Sequence, residues 1–282
     1  LISLNNPNYK GSNRSLNLSI ESTVTDRLSN FGYESNKTGF SVGSGYEVYD
    51  DLYFTKGISS YVEKLTTVST ASQSIKKQEG SYFDTFFNYT LNYDKRNQSY
   101  KATDGYISRF SQNIPLISDS YTLTNTYNYK VYSEWLGENI TTFGFFLKTA
   151  NSLGDKDVKL SDRLYVPSNK LRGFESGKIG PKDGSDFIGG NYATSINIAT
   201  TLPQVLRSLE STNFSIFFDA ANIWGIDYSS TLDDGSKIRS SVGLAIDFFT
   251  PVGPLNFSFS QPITKGSNDV VETFRFNLGT TF

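Results

Sequence analysis

Residues 83–94 read FDTFFNYTLNYD, and their alternation decides the fold class. Phe83, Thr85, Phe87, Tyr89, Leu91 and Tyr93 share one face of an extended chain, and Asp84, Phe86, Asn88, Thr90, Asn92 and Asp94 share the other. A tilted strand crosses the hydrocarbon core in ~9–11 residues, so this segment is long enough to span a bilayer. Its polar face carries Asn, Thr and Asp where a soluble sheet would show more Lys and Glu.

The same pattern repeats in both directions. Upstream, Ile2 and Leu4 read as the tail of a strand ending at Asn6-Pro7-Asn8. Leu16, Leu18 and Ile20 follow, then Phe40, Val42 and Tyr46, then a less regular strand from Tyr53 to Leu65. The polar tract Thr66–Gly80 reads as a long loop. Downstream, strands are predicted at Tyr106–Ile114, Tyr121–Tyr132, Thr141–Lys148, Tyr192–Thr200, Phe214–Trp224, Ser241–Phe249, Leu255–Ser260 and Glu272–Phe282. The expectation is an all-β fold with about twelve full strands and one partial first strand. No stretch carries the helical i, i+3, i+4 period beyond two turns. Short turns (Thr103-Asp104-Gly105, Pro251-Val252-Gly253) alternate with long loops (Thr66–Gly80, Asn151–Ile188, Tyr228–Arg239), the pattern of a transmembrane antiparallel β-barrel.

Composition agrees and narrows the chemistry. The chain has 282 residues, 18 Tyr and 22 Phe against 2 Trp, and a net charge of −2. That charge gives no basis for a nucleic-acid surface. A mean hydropathy of −0.37 and the lack of an apolar run near ~18 residues exclude a spanning helix but leave a spanning barrel open. With no Cys and no His there is no disulfide framework, no ordinary zinc site and no Ser-His-Asp triad. No enzymatic centre and no cofactor are expected.

Lys170–Asn191, KLRGFESGKIGPKDGSDFIGGN, breaks the alternation and holds six of the 23 glycines. A loop of this length inside a compact domain is uncommon unless it has a function or is disordered, and a surface loop with an incidental arginine is the competing reading. Leu171, Phe174, Ile179, Phe187 and Ile188 need packing partners, which argues for order. Gly173 lets the backbone bend beside Arg172 and aim its guanidinium.

The motif Leu171-Arg172-Gly173-Phe174-Glu175 resembles the V/I-R-G-F-E motif of the BamA-type family, the POTRA–barrel insertases of the bacterial outer membrane (bacterial surface antigen barrels). Ile179-Gly180-Pro181-Lys182 and Gly189-Gly190-Asn191 resemble further steps of that family's sixth extracellular loop. So do Tyr93-Asp94-Lys95-Arg96 with Thr103-Asp104-Gly105, although Ala102 replaces the usual proline. Thr250–Leu255 leading to Ser260-Gln261-Pro262 resembles the last hairpin, and Phe274–Phe282 a β-signal with Phe274, Phe276, Asn277, Leu278, Gly279 and Phe282 at its pattern positions.

The resemblance implies strands 4–16 of a sixteen-stranded barrel, which at ~23 residues per strand would need ~370 residues. The first three strands and the POTRA repeats would then lie outside 1–282, and residues 151–191 would form an extracellular loop folded into the lumen. It also implies that Arg172 pairs with a wall acid, for which Asp219 on the inward face of Phe214–Trp224 is the match. A second wall acid of the family falls near Ala199, leaving a clamp on Asp219 alone or with another carboxylate. The last strand would form one side of a lateral gate. The implied function is insertion and folding of β-barrel proteins in the outer membrane without cofactor or ATP. Implied partners are unfolded outer-membrane clients, assembly-complex lipoproteins, and outer-membrane lipid and lipopolysaccharide. A related translocation or secretion barrel, a passive porin-like channel and a soluble β-rich module are the competing classes. Asp233-Asp234-Gly235 and Asp155-Lys156-Asp157 are too short for a calcium loop and read as solvated tips. Asp50 and Asp51, read as opposite faces of a strand, do not form a hydrolase pair.

Overall fold

The computed structural model describes residues 1–136, 139–202, 212–232, 237–250 and 253–278. Thirteen strands form one antiparallel sheet in chain order, as the alternation predicts. They are β1 (Ile2–Asn6), β2 (Ser15–Arg27), β3 (Tyr33–Tyr49), β4 (Leu52–Thr67), β5 (Gly80–Asp94), β6 (Gly105–Ser118), β7 (Thr122–Leu136) and β8 (Asn139–Ser152). After a long loop come β11 (Tyr192–Thr201), β12 (Thr212–Trp224), β13 (Arg239–Thr250), β14 (Gly253–Thr264) and β15 (Phe274–Leu278). A two-residue pair inside that loop supplies β9 (Lys182–Asp183) and β10 (Asp186–Phe187). Among the described residues no pairing joins β1 to β15.

Several strands outrun their apolar alternation. β3 begins at Tyr33 rather than Phe40, and β2 runs on to Arg27 rather than stopping at Ile20. The extensions are polar, and polar pairs hold them: Ser22 and Thr38 hydroxyls lie 2.9 Å apart, and Ser35 donates to Glu63. Leu65 to Thr67 belong to β4, and the following tract contains a one-turn helix at Gln73–Lys76 capped by the Ser72 hydroxyl. Tyr121 does not belong to β7; it sits before it at φ 47. Asp50 and Asp51 occupy the β3–β4 turn rather than a strand, Asp51 at φ 66. β15 starts at Phe274, because the Glu272 amide hydrogen-bonds to the long loop instead. Gly279, Phe282 and Asp233-Asp234-Gly235 lie outside the described residues.

The predicted contrast between short turns and long loops holds only in part. Residues 95–104 make a long connection at the turn end, whereas 119–121 make a short one at the loop end. The 95–104 turn is held internally: Arg96 makes a two-pronged contact with Asp94, and Asn97 bonds Thr103.

The two faces of the sheet differ as a membrane wall requires. Ile20, Phe40, Ile58, Ile216, Phe259 and Phe276 are exposed on the outer face. Aromatic rings step across neighbouring strands there, from Tyr46 to Phe54 to Tyr89 to Phe110, and from Tyr127 to Phe145. The inner face carries Ser, Thr and Asn, with a polar cavity lined by Ser59, Asn88, Asn113 and Thr124. Side chains of the long loop touch β4 and β5 on one flank and β12 on the other, where its backbone carbonyls also accept from β13 and β15. One loop can reach such distant strands only if the sheet curls around it.

Candidate functional site: the arginine loop

Residues 153–191 connect two adjacent strands, β8 and β11, yet the segment from Val158 onward is largely buried. Its apolar side chains explain why. Val158, Leu164, Val166, Leu171, Phe174 and Ile179 pack against Phe146, Ala150, Ala193, Ala221 and Ile223 of the inner wall. Leu160 and Ile188 pack with Tyr33, Leu65, Ile75 and Ile226 on the other side. Burying such side chains contributes ~1.5–3 kcal/mol each, which offsets the entropy of ordering a long connection. Asp155 and Asp157 remain exposed before this packed segment begins.

Arg172 lies in the middle, 5% exposed, against β12. Its Nε donates to Asp219 Oδ2 at 2.7 Å and its Nη2 to Asp219 Oδ1 at 2.8 Å. The Arg172 amide also donates to Asp219 Oδ2 at 3.1 Å, so backbone and side chain grip one carboxylate. The guanidinium sits 3.4 Å from the centroid of the Phe217 ring, a cation–π contact on the same face of the strand. Asp219 is fully buried, and such a pair leaves an expensive orphan charge if either partner is removed.

The neighbour that sequence reasoning sought near Ala199 lies two residues earlier and is an amide. Asn197 is directly opposite Asp219 in the β11–β12 register, whereas Ala199 faces Phe217. Asn197 Nδ2 donates to Asp219 Oδ1 and to the Lys170 carbonyl, both at 2.8 Å. The wall thus holds the carboxylate and the loop backbone with one side chain.

Gly173 turns the chain at φ 90. A Cβ there would stand 3.1 Å from Ser241 Cβ and 3.2 Å from Ser260 Cβ, so glycine permits the loop to lie flat on β13 and β14. Ser241 completes the seat by donating to the Arg172 carbonyl at 2.5 Å. Phe174 is 2% exposed and buried in the apolar cluster. Leu171 joins that cluster, and Glu175 pairs with Lys178 at the rim. All five motif residues are thereby brought onto the inner wall or its rim.

Three further ionic anchors escaped the sequence reading. Lys159 Nζ lies 2.7 Å from Glu63 of β4 and 2.8 Å from Asp84 of β5. Burial pushes its ammonium pKa down, but Asp162, Glu63 and Asp84 outweigh this and hold it above the ordinary lysine value. Arg163 pairs with Asp227, which also accepts from the Val158 amide and Asn191. Burial pushes the Asp227 carboxyl up, and Arg163 with these hydrogen bonds brings it below the usual carboxylate range. Arg239 of β13 pairs with Asp269, which accepts the Gly180 amide. A lysine flanked by valine and leucine is the one hint the sequence offers for Lys159.

Of the last-strand residues, Phe274, Phe276 and Leu278 are exposed on the outer face, and Asn277 lies opposite Asn256 of β14. Among the described residues no cluster of His, Cys, Asp or Glu is arranged to hold a metal ion.

A curled antiparallel wall, apolar outside and polar inside, with an arginine loop clamped on its inner face, defines a β-barrel membrane protein of the loop-plugged kind. The chain belongs to the Omp85 superfamily, whose domain matches residues 1–282. It is similar to the outer membrane protein assembly factor BamA of Neisseria meningitidis serogroup B, 24% identical over 245 residues, 72% of this chain and 30% of that protein. It is also similar to the sorting assembly machinery 50 kDa subunit of Saccharomyces cerevisiae, 25% identical over 225 residues, 75% of this chain and 46% of that one. The chain spans about a third of the length of the BamA relatives it matches. In fold it resembles BamA from Haemophilus ducreyi lacking POTRA domains 1–3, with a TM-score of 0.85 at 24% identity over 97% of this chain and 60% of the other. The chain is a homologue of outer-membrane β-barrel assembly factors and a bacterial outer-membrane β-barrel protein.

Proposed function

We propose that this chain is the membrane-embedded part of a machine that inserts and folds β-barrel proteins into the bacterial outer membrane. The observation that carries this reading is the LRGFE loop seated on Asp219 within a barrel of the assembly-factor family. The site binds no cofactor and works without covalent chemistry. Its work is mechanical: the loop holds the inner wall in shape while the last strand presents backbone donors and acceptors to an incoming strand. On this reading the edge of β15 away from β14 is the surface for such augmentation. Unfolded outer-membrane proteins are the clients on this reading, with accessory lipoproteins and outer-membrane lipid and lipopolysaccharide as partners.

The test uses the full-length protein in lipid vesicles and an unfolded outer-membrane barrel as client. The fraction of client that becomes protease-resistant is followed with time. Folding well above the rate on empty vesicles, slowed by Arg172→Ala, is the expected result. Folding at the empty-vesicle rate with the parent protein sinks the proposal.

A further inference from the structure

The segment entering the last strand is stitched to the arginine motif itself. Phe174 and Val271 form an antiparallel bridge. The Glu175 amide donates to the Val270 carbonyl at 2.9 Å, and the Glu272 amide donates to the Gly173 carbonyl at 3.1 Å. The Val270 amide adds a bond to the Lys178 carbonyl at 3.0 Å. Gly173-Phe174-Glu175 therefore acts as a short extra strand beside 270–272, immediately before β15.

Arg275 then crosses from β15 to the same loop. Its side chain is only 10% exposed and sits on the inner face, opposite Ser258 of β14. Nη1 donates to the Ser168 carbonyl at 2.7 Å and Nη2 to the Phe174 carbonyl at 2.5 Å. Nε donates to Glu272 Oε2 at 2.7 Å, which orients the planar fork. One guanidinium thus gathers carbonyls from both sides of Arg172, a task that needs several fixed donors and that a lysine ammonium cannot reproduce in full.

We propose that Arg275 is a positioning residue that latches the last strand to the LRGFE loop, so that seating of the loop and freedom of the strand's entry are coupled. Arg172 fixes the loop to β12, and Arg275 fixes β15 to the loop. The motif backbone from Arg172 to Phe174 links the two grips directly. A client that pairs with β15 works against this latch; that consequence rests on the proposed function above, whereas the latch does not.

The chain has no cysteine, so a designed pair reports cleanly. Glu175→Cys and Val270→Cys are introduced together into the full-length protein in its native membrane, and the rate of disulfide formation under mild oxidation is measured. Adding Arg275→Gln is expected to lower that rate about tenfold, the size of one lost charge-assisted hydrogen bond. Arg275→Lys is expected to recover part of it. An unchanged rate in Arg275→Gln overturns the latch. If that variant fails to fold, as judged by heat-modifiable mobility, Glu272→Ala replaces it, since it leaves Arg275 in place but removes the acceptor that aligns its fork; an unchanged rate there overturns the latch equally. A slowed disulfide with unaltered client folding leaves the latch standing and removes the last strand from the proposed insertase function.

Discussion

Lys159 and Asp84 stand 75 residues apart in sequence, and the ammonium of one lies 2.8 Å from the carboxylate of the other. Glu63, on the strand beside Asp84, takes the same ammonium at 2.7 Å. The arginine loop is therefore moored at two opposite walls, by Lys159 on β4 and β5 and by Arg172 on β12.

Replacing Lys159 by Met would leave two buried carboxylates without their cation. The expected cost is ~3–5 kcal/mol of loop-closed stability. The measurement is the temperature at which heat-modifiable mobility is lost, which should fall, together with faster proteolysis near Lys170. Removing the carboxylates as well, with Glu63→Gln and Asp84→Asn in the same chain, should restore part of the loss.

The two loop anchors respond to pH in opposite directions. Lys159 has a folded pKa above the unfolded value of ~10.4, so its contribution is full below that value and is lost only as pH rises through the higher folded value. Asp227 has a folded pKa below the unfolded ~3.9, so its contribution is full above that value and is lost as pH falls through the lower one. Loop protease resistance should accordingly be flat from about pH 5 to 9 and weaken at both extremes. A midpoint near pH 6.5 would rule out these two groups as the titrating anchors.

Gly180 turns at φ 94, and a Cβ there would stand 2.4 Å from Ile223 Cγ2. Gly180→Ala should destabilise the seated loop by ~1–2 kcal/mol from the left-handed backbone alone, and further through the clash. Ile223→Ala in the same chain should relieve the clash but not the backbone strain. Unfolding midpoints of the two single variants and the double variant form the cycle that separates the terms.

Ile216 is 47% exposed on the outer face of β12, whereas Asn113 borders the inner cavity. Ile216→Arg should cost ~2–4 kcal/mol if it lies near the bilayer midplane, and Asn113→Arg should cost far less. Urea-induced unfolding in lipid vesicles reads both. Equal costs at the two positions would contradict the assignment of faces.

The strands were legible because side-chain period is a local property that each strand repeats on its own. Phe83 to Asp94 could be read without any other residue, and the parity of Asp219 followed from Phe214, Ile216 and Phe218 on the opposite face. The polar extensions of β2 and β3 were not legible, since Ser22, Thr38 and Ser35 gain their roles from partners on other strands. The site was legible to the extent that Arg172 and its motif resemble a family pattern. Asn197 was missed by two residues because register across β11 and β12 depends on the connection between them, not on either strand. Lys159, Arg163, Asp227 and Arg275 were missed for a related reason: their partners come from distant rungs, and no spacing within the loop encodes that distance.

The loop's polar moorings also tie its seating to strands far along the chain. Arg172 meets Asp219 47 residues later, Lys159 meets Asp84 75 residues earlier, and Arg275 meets Phe174 101 residues earlier. Contacts of such separation carry a loop-closure cost, and each depends on the strand that presents its partner. The arginine loop can settle only when β4, β5, β12 and β15 are all in place. Seating of the loop therefore reads out, in one set of contacts, strands drawn from both ends of the described sheet.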